Sequence, residues 1–77
     1  MARYVLAKSS GMDPMFLCSN PEGLSLNSDP SGAICFKTID ETISYRSILS
    51  RTLTWTGLCN VHEMLPDKSA VDVEPHN

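Results

Sequence analysis

Cys59 and His62 stand three residues apart, and Cys18 and Cys35 add two further thiols. Thiolate and imidazole together are the ligands of a structural zinc, and a Cys₃His set would suffice. No Cys-x-x-Cys knuckle accompanies them. On a strand, residues 59 and 62 project to opposite faces, so both reach one ion only in a turn. The expectation is therefore buried thiols, an ordinary surface His62 and no cofactor. Cys18, Cys35, Cys59 and His62 remain the set to examine for a metal.

A thiol paired with His62 would also be the minimum for a thiolate–imidazolium nucleophile. The chain has no recognisable nucleophile turn and no oxyanion loop to go with it. Asp40 and Glu41 are adjacent carboxylates, but a helix start accounts for both. Gly23, Gly32 and Gly57 are isolated and form no phosphate-binding loop. With 77 residues there is room for one thin core and little more, so no enzymatic activity is expected.

The charge distribution narrows the partners. Residues 1–62 carry five cations (Arg3, Lys8, Lys37, Arg46, Arg51) and five anions (Asp13, Glu22, Asp29, Asp40, Glu41). The whole net charge of −3 thus falls after residue 62, on Glu63, Asp67, Lys68, Asp72 and Glu74. A neutral body with an acidic tail is a poor ligand for phosphate backbones, which need clustered Lys and Arg. Arg46 and Arg51 sit about 140° apart on a helix and make no single patch. A nucleic-acid-binding module is therefore an alternative, with Tyr4, Phe16 and Trp55 as possible stacking groups. No stretch approaches the ~20 apolar residues of a membrane span, and the first residues lack the apolar core of a signal peptide. Three cysteines, an odd number without a disulfide framework, agree with a cytoplasmic protein.

The elements that would position these groups follow from periodicity. Arg3 to Lys8 is rich in strand formers, Ser9 to Pro14 is turn chemistry, and Met15 to Cys18 is a second apolar run, giving an antiparallel hairpin. Residues 19–32 read as a loop interrupted by Leu24 and Leu26, whose spacing of two suits a short edge strand with both leucines inward. Thr38-x-x-Glu41 is a capping box. It opens an amphipathic helix over 39–51 in which Ile39, Ile43, Tyr45, Leu49 and Leu53 share an arc of about 160°, with Ile48 just beside it and Arg46, Ser47 and Ser50 on the other side. Thr52 to Thr56 reads either as strand or as a frayed helix end, and Gly57 breaks it. A last strand over 58–65 ends at Pro66.

The fold class is α+β, a three- or four-stranded antiparallel sheet with one helix on one face. Residues 1–65 form a single domain, and the acidic 66–77 is expected to be unstructured. With one helix, one sheet face is left open.

The arrangement of Tyr4-Val5-Leu6, then Ala33-x-x-Phe36-x-Thr38-x-x-Glu41 opening a helix with Tyr45, then a closing strand, resembles small orphan ββαβ proteins encoded by bacteriophages. The resemblance covers about residues 3–65. It implies an accessory protein that binds a host protein and inhibits or redirects it. On the residues alone, protein binding rests on a free sheet face or edge, on Trp55 as an interface anchor or a cap on the core, and on the adaptable Met12 and Met15. The contact candidates are Trp55, Phe16, Tyr4, Arg46 and Arg51. A homodimer through the same edge is a further expectation.

Overall fold

The computed structural model describes residues 2–9, 14–67 and 69–74. Among the described residues there are five strands: β1 (Arg3–Ser9), β2 (Pro14–Asn20), β3 (Gly23–Asn27), β4 (Asn60–Met64) and β5 (Ala70–Asp72). They form one antiparallel sheet in the order β3-β2-β1-β4-β5. One helix, α1 (Ile39–Leu49), packs on it. The α+β class is as expected, with five strands in place of three or four.

The fifth strand comes from the segment expected to be unstructured. Ala70–Asp72 pairs with Met64–His62 of β4, so the acidic tail extends the sheet past residue 65. The acids there are used locally. The Ser69 hydroxyl and amide both donate to Asp67, at 2.6 and 3.0 Å, and close the β4–β5 turn. Those bonds hold the Asp67 carboxyl below the usual carboxylate range. Residues 68 and 75–77 of that segment lie outside the described residues, as does Met12.

Strands β1 and β2 pair directly only at Ala7↔Phe16, Lys8↔Met15 and Ser9↔Pro14. Beyond that point they part, and the extended segment 33–36 enters the gap. The Ile34 amide donates to the Leu17 carbonyl at 3.1 Å. Phe36 and Tyr4 exchange both backbone bonds, at 2.9 and 2.8 Å. Ala33 and Ile34 then fall on opposite sides, one against each core cluster. This satisfies the backbone groups that the splayed strands would otherwise leave unpaired in the interior.

The sheet is buried on both faces, which corrects the expected open face. Leu6, Leu17, Cys59 and Val61 form the cluster under α1. Val5, Ala7, Phe16 and Cys18 form a second cluster on the opposite face, with Ala33, Met64 and Ala70 packed against it. Among the described residues no helix covers this second face. A 3-10 turn over Pro30–Gly32 lies against β2 and helps to do so. The unbroken apolar run Val5-Leu6-Ala7, fully buried throughout, is the sequence counterpart of a strand covered on two sides.

Thr38 caps α1, its hydroxyl accepting from the Glu41 amide at 3.1 Å. Asp40 and Glu41 occupy the first turn, where the helix dipole favours negative charge. The helix ends at Leu49 rather than 51. Residues 52–56 are neither strand nor α-helix: Thr54–Leu58 is a 3-10 turn that contains Gly57 and carries Trp55. The Gly57 Cα faces the Ser50 Cβ, to which an added Cβ would lie at 3.7 Å, so helix and turn approach closely.

Candidate binding surface

The inward stripe of α1 is Ile39, Thr42, Ile43, Arg46 and Leu49, at spacings of three and four. Thr42 at its centre is fully buried and satisfied, its hydroxyl donating to the Thr38 carbonyl at 2.8 Å. Arg46, expected on the polar side of the helix, is instead drawn inward, where it has partners. Its Nη1 donates to the Cys59 carbonyl at 2.8 Å and to the Glu74 carboxylate. Glu74 Oε1 also accepts from the Val61 amide at 3.0 Å.

Turning the helix this way leaves Ile48 outside. It lies about 180° around the helix from Ile39 and is 68% exposed. Tyr45 lies between the two, half-buried, with its ring 5.0 Å from that of Phe36 at an angle of 51°. Phe36, Tyr45 and Ile48 thus line an open hollow of about 480 Å³ on the outer face of the helix. Asp40 and Glu41 stand on its wall, and among the described residues no cation lines it. An apolar floor beside two carboxylates suits an apolar side chain flanked by Lys or Arg.

A larger cavity of about 640 Å³ lies at the end of the sheet where β1 starts and β4 stops. Met64 and Leu65 supply apolar wall, and Arg3, Asp29, Glu63 and the exposed Cys35 thiol supply polar groups. Its size is that of a small-molecule site. One cation against two carboxylates favours no single ligand charge.

The four metal candidates are not brought together. Cys59 is fully buried under α1 and Cys18 on the opposite face, but His62, expected at the surface, is buried beside Val5 on that face, and Cys35, expected to be buried, is exposed. Among the described residues no group of three or more His, Cys, Asp or Glu side chains is placed to hold a metal. The His62 ring engages the Asn60 carbonyl through Nδ1 at 2.9 Å. Burial pushes the Cys59 thiol up, with Lys8 and Arg46 pulling part of the way back. Burial and then the Asp29 charge push Cys18 up as well. Both are the opposite of an activated thiolate.

The five contact candidates are dispersed. Phe16 is 3% exposed in the second cluster and cannot touch a partner without opening the core, which corrects its assignment as a contact. Tyr4 and Trp55 are half-buried against the cluster under α1. Arg46 is held by Glu74 and Cys59, and Arg51 is exposed. Ile48 and Phe36 were not singled out from the sequence. The signal for Ile48 was its position outside the apolar arc of the helix.

The class these features define is a small α+β protein, one five-stranded antiparallel sheet with one helix. No family model matches the chain, and no curated protein or solved structure shows significant similarity to it. Among the described residues, no helix is long and apolar enough to cross a membrane.

Proposed function

We propose that this chain is a non-enzymatic protein-binding module that works in the cytoplasm by covering part of another protein's surface. The observation that supports it is Ile48, a large apolar side chain turned away from the core that lines one open hollow with Phe36, Tyr45 and two carboxylates. An apolar hollow with charge on one wall accepts an anchor residue from a partner and selects for the basic residue next to it. The resemblance to small phage accessory proteins extends the reading: the partner is a host protein, and binding inhibits or redirects it without turnover.

The test compares the tagged chain with Ile48→Glu in capture from bacterial lysate at moderate salt, followed by titration of the purified captured protein. Val71→Glu, at an exposed valine on β5, serves as the control. A stoichiometric protein held by the chain and by the control, and lost with Ile48→Glu, supports the proposal. Equal capture by Ile48→Glu, or capture of nothing, overturns it.

A further inference from the structure

Strand β3 ends the sheet on one side, and its sequence, Gly23-Leu24-Ser25-Leu26-Asn27, carries no charge and no proline. Natural edge strands are usually guarded by such residues against pairing with another chain. The phase of the β2–β3 ladder says which backbone groups this edge offers. The hairpin closes on the pair Asn20↔Gly23, and bonded and non-bonded pairs alternate from there. Asn20↔Gly23, Cys18↔Ser25 and Phe16↔Asn27 are then the bonded pairs. Leu17↔Leu26 is a non-bonded one, in agreement with the Leu17 carbonyl accepting from Ile34 on the far side of β2. Leu24 and Leu26 therefore point their amides and carbonyls out of the sheet edge. Among the described residues no hydrogen bond reaches these groups.

We infer that β3 is a self-association edge whose occupant is β3 of a second copy of this chain, antiparallel about a two-fold axis through Ser25. The segment is nearly the same read in either direction from Ser25. In that register Leu24 meets Leu26 of the second copy, and Leu26 meets its Leu24. These are the residues with outward groups, so each pair exchanges two backbone hydrogen bonds. Both leucines are half-buried on the helix side, against the cluster under α1. Pairing sets the leucines of the two copies side by side on that face and extends each cluster into the other. Ser25 lies on the opposite face and meets its own symmetry mate. No like charges oppose each other anywhere along the strand, and the surface is self-complementary as a two-fold interface requires. The contact is small against the roughly 800 Å² per partner of stable complexes, so association is weak and concentration dependent.

The test is sedimentation equilibrium of the full chain under reducing conditions, from low micromolar to millimolar concentration. The mass should rise from 8.5 kDa toward twice that value. Ser25→Lys and Ser25→Glu each place like charges directly opposite across the axis and should weaken association several-fold. An equimolar mixture of the two should restore it. Amide exchange in the unmodified chain should slow at Leu24 and Leu26 as concentration rises. A chain that stays monomeric at millimolar concentration overturns the inference. So does a dimer that Ser25→Lys leaves intact, or one in which the Leu24 and Leu26 amides stay as exposed as before. None of these readouts involves the outer face of α1, so this test and that of the binding proposal fail independently.

Discussion

Arg46 on α1 and Glu74, two residues beyond β5, form an ion pair, and both side chains are largely buried there. The same two residues also satisfy the backbone on either side of the start of β4, at the Cys59 carbonyl and the Val61 amide. One contact thus ties together the helix, the strand beneath it and the segment that follows β5. Charge-assisted bonds in a half-dry site are stronger than their surface counterparts, and the loss of one partner leaves the other charge stranded.

Glu74→Ala should therefore cost about 2 kcal/mol, well above the effect of an exposed carboxylate such as Glu22. Glu74→Gln keeps an acceptor for the Val61 amide and should cost less. Urea denaturation of both variants measures the difference. A double cycle with Arg46→Met should return a coupling close to the single-site loss. A Glu74→Ala chain as stable as the unmodified one would remove the ion pair from the account of the fold.

Alkaline pH should weaken the fold through the buried thiols. Burial raises both Cys59 and Cys18, so the folded chain keeps their protons after the unfolded chain has lost them. The unfolded state then binds fewer protons, and stability declines as pH rises above roughly 8.5 and onward through the raised folded values. Below that range their contribution is fully present. Denaturant midpoints followed from neutral to alkaline pH check the sign. A disulfide exchange reagent applied to the native chain should modify Cys35 at once and reach Cys18 and Cys59 only on unfolding, because only Cys35 is exposed.

Trp55 and Ile48 should respond in opposite ways. Trp55 packs on the cluster under α1, and Trp55→Ala should cost about 2 kcal/mol, short of a fully buried tryptophan. Ile48→Glu changes a side chain that already faces solvent and should stay within about 0.5 kcal/mol. Thermal unfolding of the two variants separates core from surface before any partner is known. Equal loss at both positions would place Ile48 in the core.

The amino-acid sequence by itself determined the elements whose signals are local. The strand formers of Arg3 to Lys8, the leucines at 24 and 26, the Thr38 cap and the helix behind it all stand where their own neighbours dictate. Tertiary structure alone decided the rest, because it depends on groups far apart in the chain. The acidic composition of 66–77 argues against a core until Glu74 finds Arg46 and β5 finds β4. The second sheet face reads as open until the turn near Pro30, Ala33, Met64 and Ala70 pack against it. The apolar arc of the helix turns inward as its spacing predicts, with Ile39, Ile43, Tyr45 and Leu49 against the cluster under it. What the local pattern did not give is Arg46 within that inward stripe: its partners at Cys59 and Glu74 hold it against the sheet, while Ile48 stays on the outer surface.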